Sequence, residues 1–245
     1  KQCCQWFITD GHGAPVVTGT RLLAGVPEDG EQRRFKPLFI DKPMAASTKE
    51  GAEIVRLAKA AGVPVFSASS RRFVEDVLML REDPKVGTIL GATTYGPASL
   101  EPHHPDLYWY GVHAVETLYQ LMGPGCVSVS RTHTADTDVV VGTWSDGRVG
   151  IVRGVRGGKY GTYGHTVFGT GDVVTMTSEM PLPGGAKRRS GYYGLVKRVI
   201  AFFETGVPPV TPEETVETLA FMEAADISKA RNGTAVKLSE VPGAQ

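Results

Sequence analysis

Cysteine is scarce in this 245-residue chain, with only Cys3, Cys4 and Cys126 present. Adjacent Cys3 and Cys4 do not have a metal-ligand spacing, and no disulfide framework is expected from three thiols. An excess of either charge is also missing. The 26 basic and 26 acidic residues balance, so the chain offers no electrostatic footprint for nucleic acid. The longest basic cluster, Lys187-Arg188-Arg189, follows Pro183-Gly184-Gly185 and reads as a solvated loop. No apolar run approaches the ~20 residues that a membrane helix needs, and there is no convincing internal repeat or low-complexity tract. The amino end, Lys1-Gln2-Cys3-Cys4, has no initiator Met, signal peptide or capped first helix. It reads as the inside of a longer protein, and the few cysteines point toward a cytoplasmic setting.

What is present begins with Lys36-Pro37-Leu38-Phe39-Ile40-Asp41-Lys42-Pro43, an apolar run of strand length ending on a carboxylate, an amine and a proline. Buried parallel strands read as continuous apolar runs, and ligands of open α/β sheets sit beyond their carboxyl ends. Lys42 is therefore expected at a crevice, with Pro43 turning the chain out of the sheet. Upstream, Gln5–Thr9 reads as a strand closed by the turn Asp10-Gly11-His12-Gly13. A helix over Val16, Val17, Leu22 and Leu23 follows, then a polar loop from Val26 to Arg34. Downstream, Ser47 or Thr48 caps a helix carrying Ile54, Val55, Leu57, Ala58 and Ala61. Gly62 stops it, and Val63-Pro64-Val65-Phe66 begins another strand. Strands alternating with helices at short spacing indicate βαβ units on a parallel sheet, with Asp10 and Lys42 at one sheet edge.

Beyond residue 70 the pattern changes. A helix is expected over Ser70–Arg81, a strand over Val86–Thr94, and an irregular loop from Gly96 to Asp106 carrying Pro97, Pro102, His103, His104 and Pro105. Tyr110–Met122 has helical spacing and stops at Gly123-Pro124-Gly125. From Cys126 to Thr177 the chain is rich in glycine and β-branched residues. Asp146-Gly147 between Val139–Trp144 and Val149–Val155 signals a hairpin. Helices Tyr192–Thr205 and Pro212–Ala230 close the chain, the second with Thr211 as cap and Pro212 at its first position. The fold class expected is α/β plus α+β: residues 1–70 form part of a Rossmann-type parallel sheet. Residues 71–245 form a domain with an open, mostly antiparallel sheet covered by helices on one face.

Two groups stand out chemically. His113 lies in the first turns of a helix after the proline-rich loop, and Glu116, three residues on, shares its face. A carboxylate beside an imidazole can fix its tautomer and raise its pKa. His103 and His104 raise a metal site, as in a lyase or hydrolase using both with His113. Neighbouring histidines point apart in extended chain, however, and no acidic or cysteine ligand pattern accompanies them. Gly11-His12-Gly13 starts like a dinucleotide fingerprint, but Val16 stands where the last glycine belongs and Pro15 precedes it, so it reads as a tight turn.

Leu38-Phe39-Ile40-Asp41-Lys42-Pro43 before a capped helix resembles the Glu-Lys-Pro motif of the Gfo/Idh/MocA oxidoreductases, the family of glucose-fructose oxidoreductase and inositol dehydrogenase, with Asp41 in place of the commoner Glu. Val63–Phe66 with Arg72-Phe73 is similar to the segment leaving that family's nucleotide domain. Gly111-Val112-His113 before a helix ending Leu121-Met122-Gly123 resembles the segment bearing its active-site histidine. Ala224-Ala225-Asp226-Ile227-Ser228 resembles its closing helix.

The resemblance implies an enzyme using NAD or NADP to interconvert a hydroxyl and a carbonyl on a sugar, cyclitol or polyol. Lys42 and His113 would be catalytic, and Asp10, Gly11, His12, Asp41, Lys42, Pro43 and Arg72 would touch the cofactor. His104, Tyr110 and Glu116 would touch the substrate, with no metal. Where the family has Asp four residues before this histidine, the chain has Trp109, leaving Tyr110, His104 or Glu116 to replace it. The family's glycine-rich turn would precede residue 1. The resemblance also implies a homodimer or homotetramer through the open sheet. A non-catalytic sugar-binding or oligomerisation module is the alternative.

Overall fold

The structure is a computed structural model and describes residues 37–157 and 161–244. The turn Asp10-Gly11-His12, the helix around Val16–Leu23 and the loop Val26–Arg34 lie outside the described residues.

The apolar run forms strand β1 (Leu38–Asp41), paired in parallel with β2 (Val65–Ala68) through helix α1 (Thr48–Ala60). Ser47 caps α1, its Oγ accepting from the Glu50 amide at 3.2 Å, and Gly62 ends it at φ 63°. Asp41 and Lys42 thus emerge at the carboxyl end of β1, and the peptide bond between Lys42 and Pro43 is cis.

The single helix expected over 70–81 is two pieces. Ser69 Oγ accepts from the Arg71 amide at 3.0 Å and holds a 3-10 turn over Ser70–Phe73. Val74 is then extended (φ −75°, ψ 148°), and helix α2 runs Glu75–Glu82. The break turns Arg72 inward, where its guanidinium meets Glu116 and Glu214. Strand β3 (Ile89–Pro97) starts and ends later than the spacing suggests and absorbs Gly96 and Pro97 from the expected loop. Its pairing with β7 has ended by Tyr95, so the missing amide of Pro97 removes no bond from that ladder.

Helix α3 (Val112–Met122), β4 (Cys126–His133), β5 (Thr137–Trp144), β6 (Val149–Val155), β7 (Gly164–Gly169), β8 (Val173–Thr177), α4 (Tyr193–Thr205), α5 (Pro212–Ala230) and β9 (Val236–Lys237) follow. The hairpin at Asp146-Gly147 joins β5 to β6, with the Gly147 amide donating to Trp144 at 3.0 Å. The seven-stranded sheet runs β8-β7-β3-β6-β5-β4-β9, and only β3 and β6 pair in parallel. Alternation decides its faces: along β5 each second residue, Asp138, Val140, Gly142 and Trp144, is buried, while Val139, Val141 and Thr143 stay partly open. One apolar core runs from Ile40 and Ile54 through Val115, Leu118 and Phe221 to Val129 and Val140. It joins both sheets beneath the helices. Among the described residues no helix is long and apolar enough to cross a membrane.

Candidate active site

Lys42, at the end of β1, donates from Nζ to the carbonyl of Trp109 at 3.0 Å. The amine lies 5.5 Å from the centre of the Trp109 ring and 5.7 Å from that of Tyr110. Burial lowers its pKa, while the negative charges of Asp41 and Glu116 work the other way. Asp41 is half-buried, and burial raises its carboxyl, opposed by a hydrogen bond from the Lys42 amide and by the lysine's charge.

His113 reaches the same place from α3. Its ring stands 5.6 Å from that of Tyr110, the ring that Lys42 also approaches. Nδ1 is 2.7 Å from Ser69 Oγ. Burial first, then the positive charges of Lys42 and Arg71, push its pKa down to about 3, so the imidazole is neutral at ordinary pH. Ser69 Oγ already accepts from the Arg71 amide. In the tautomer that leaves Nε2 able to take a proton, Nδ1–H donates to that same oxygen.

Glu116 does not meet the imidazole as their shared face suggests. Its carboxylate bonds Arg72 Nε instead, and the Ser69 amide helps hold its pKa against the upward push of burial. Glu116 therefore acts on His113 at one remove, through the residue that orients the ring. Arg72, expected at the cofactor, is 1% exposed. It is committed to Glu116, to Glu214 at 2.5 Å and to Thr218 at 3.4 Å, which leaves its guanidinium no face for a nucleotide. His104 packs edge-on against Trp109 at 4.7 Å and stands 3.6 Å from Glu101, so it backs the tryptophan that receives Lys42. Where the family pattern has a carboxylate, the lysine is met by the Trp109 backbone carbonyl. Among the described residues no group of three or more His, Cys, Asp or Glu could hold a metal ion.

Sequence reasoning missed Ser69, Arg71 and Tyr163. Ser69 was within reach of the rule that singled out Lys42, since it follows the carboxyl end of β2. Tyr163 carries no local signal: it packs against His113 at 5.9 Å because the sheet returns it from 50 residues away.

No family model matches the chain, and no curated protein matches it. Solved structures do. The scyllo-inositol dehydrogenase from Lactobacillus casei with bound NAD(H) and scyllo-inositol superposes with a TM-score of 0.73 at 14% identity, covering 95% of this chain and 79% of that one. The chain has the Gfo/Idh/MocA fold. The myo-inositol dehydrogenase from Lactobacillus casei in complex with NAD(H) and myo-inositol gives 0.72 at 15% identity over 94% of this chain and 76% of that one. GenD2 from gentamicin A biosynthesis, in complex with NAD, gives 0.69 at 18% over 91% and 74%. In this Gfo/Idh/MocA fold the small parallel sheet carries Lys42, and helix α3 carries His113, to the same aromatic ring, Tyr110.

Proposed function

We propose that the chain forms the substrate-handling part of an NAD(P)-dependent oxidoreductase that interconverts a hydroxyl and a carbonyl on a sugar, cyclitol or related polyol. The observation that carries this reading is the meeting of a half-buried amine and a neutral imidazole about Tyr110. The neighbours bound to NAD(H) and inositols support the cofactor and substrate classes.

The donor set fits the nicotinamide end of such a cofactor: Asp41, Lys42 and Pro43 stand at the carboxyl end of a parallel strand, where α/β sheets receive ligands. When bound, the cofactor accepts or returns the hydride. The protein's share is proton handling and charge. His113 Nε2 takes the hydroxyl proton while Ser69 holds Nδ1, and Lys42 stabilises the negative charge growing on that oxygen. The rings of Trp109 and Tyr110 flank the amine, and Tyr110 also packs edge-on against the imidazole.

The open face of the large sheet supports a homodimer or homotetramer. Val139, Val141 and Ile151 lie partly open there beside exposed Val149 and Phe168. Light scattering should give a multiple of 26.2 kDa, and Ile151→Glu should lower it.

The test of the redox reading is titration of the full-length protein with NADH and NADPH by nicotinamide fluorescence, with turnover of a polyol panel. At least one nucleotide should bind. Lys42→Met and His113→Asn should each cut turnover by roughly 10²–10⁴-fold, the usual range for removing an acid or base. Failure of both nucleotides to bind ends this reading, and leaves the non-catalytic module in its place.

A further inference from the structure

Arg71 sits beside His113 without a counter-ion. Its half-buried guanidinium has no hydrogen-bonded or ion-paired carboxylate among the described residues, and its Nε is buried with no partner. Asp76, the acid whose charge reaches it, is ion-paired to Arg188 at 3.1 Å. His165, buried on β7 within the field of the same three groups, supplies no negative charge. Burial holds it neutral, with a pKa near 4, and its Nε2 also lacks a partner.

Arg71 is held from two sides. Ser69 Oγ takes its amide and also pairs with His113. The guanidinium lies 4.4 Å from the centre of the Tyr163 ring, and that ring packs edge-on against the imidazole. Gly96 on β3 makes room for this stack: a Cβ there would come within 2.5 Å of the tyrosine ring. A cation drawn partly out of water without a partner is unfavourable unless something else supplies the charge. A stacked guanidinium keeps its edge free, and that planar fork matches a carboxylate through two parallel hydrogen bonds.

We propose that Arg71, stacked on Tyr163, anchors a carboxylate of the substrate, so that the compound acted upon is a sugar acid of the uronate or aldonate type. The assignment rests on the oxidoreductase reading and narrows its substrate. It also gives the site a means of discrimination: a carboxylate on Arg71 cancels part of the positive field at His113, which makes Nε2 a better proton acceptor when the right substrate is bound.

The test is calorimetric titration of the protein with D-glucuronate, D-galacturonate and D-gluconate, with the methyl esters of the two uronates, D-glucose for the gluconate, and D-glucose 6-phosphate. At least one acid should bind ten or more times more tightly than its uncharged counterpart. Arg71→Gln should bring the two within about twofold, and Arg71→Lys should keep part of the preference, with circular dichroism checking that both variants fold. Three results overturn the proposal: no acid preferred over its counterpart, a preference untouched by Arg71→Gln, or tighter binding of the phosphate than of every acid. Turnover of uncharged polyols by a protein lacking the preference removes this subsite alone. The preference without nicotinamide binding removes the redox reading alone.

Discussion

Two clusters of buried charge flank the turn at residues 105–110, and they are built on opposite principles. On one side, Arg131 reaches Asp106 at 2.9 Å, Asp138 at 2.7 Å and Asp226 at 2.6 Å. Arg156 joins Asp106 and Asp138, and Lys229 closes on Asp106 at 2.7 Å. Three carboxylates meet three cations there, and His133 adds a hydrogen bond to Asp138. On the other side, Lys42 rests on a carbonyl and Arg71 on an aromatic ring, and His113 is neutral between them. In the first cluster every cation has a carboxylate from within the chain. The second keeps its charges open, which is how a protein prepares for a ligand that brings the missing groups. The paired cluster also serves the open one, because Asp106 anchors the turn that carries Trp109 and Tyr110.

This contrast can be broken most forcefully at Arg131. Arg131→Met leaves Asp138, which is fully buried, with Arg156 as its remaining cation and takes the guanidinium from Asp226, and should cost about 3 kcal/mol of stability, the low end of the usual penalty for breaking a buried pair from one side. Urea denaturation measures it, and a loss below about 1 kcal/mol would place Arg131 outside the structural class. Arg72 belongs to that same class despite lying one residue from Arg71. Arg72→Met should cost about 3 kcal/mol by leaving Glu116 without its guanidinium, whereas Arg71→Gln should leave the denaturation midpoint nearly unmoved.

Acid should act on the open side through its neutral histidines. The His165 imidazole takes a proton at about pH 6.5 in the unfolded chain and only at about 4 when folded. Between those values the unfolded chain holds the extra proton, so stability falls as pH drops through that window. Melting temperatures from pH 7 to pH 4 should fall less steeply in His165→Asn than in the parent, and equal slopes would remove His165 as the cause. The smallest effect is expected at Lys42. Its one hydrogen bond is to a carbonyl, so Lys42→Met should change stability by no more than about 1 kcal/mol while turnover collapses. A stability loss as large as that of Arg131→Met would mean the lysine is held for structure.

The boundary between what could and could not be read in advance runs along the range of the forces involved. The apolar run ending at Lys42, the hairpin at Asp146-Gly147, the cap at Ser47 and the helix start at Thr211-Pro212 are local. Each depends on residues within four or five positions, and each formed as its pattern indicated. Glu116 shows where local reasoning stops. Helical spacing correctly set it on the face of His113, yet its partner was decided by Arg72, 44 residues away in the chain and turned inward by the break at Val74. The same holds for the break at Val74, which turned an expected single helix into a turn that carries Arg71 and Arg72 in different directions.

By itself, then, the order of apolar and turn-forming residues determined the strands, most of the helices and the positions of Lys42 and His113 at the ends of their elements, because those follow from backbone geometry and the burial of one face. Tertiary structure alone decided which charges were neutralised and which stayed open. Ion pairs form between whichever groups the folded chain brings within about 3 Å, and that proximity is a property of the packed sheets and helices, invisible in any window of sequence.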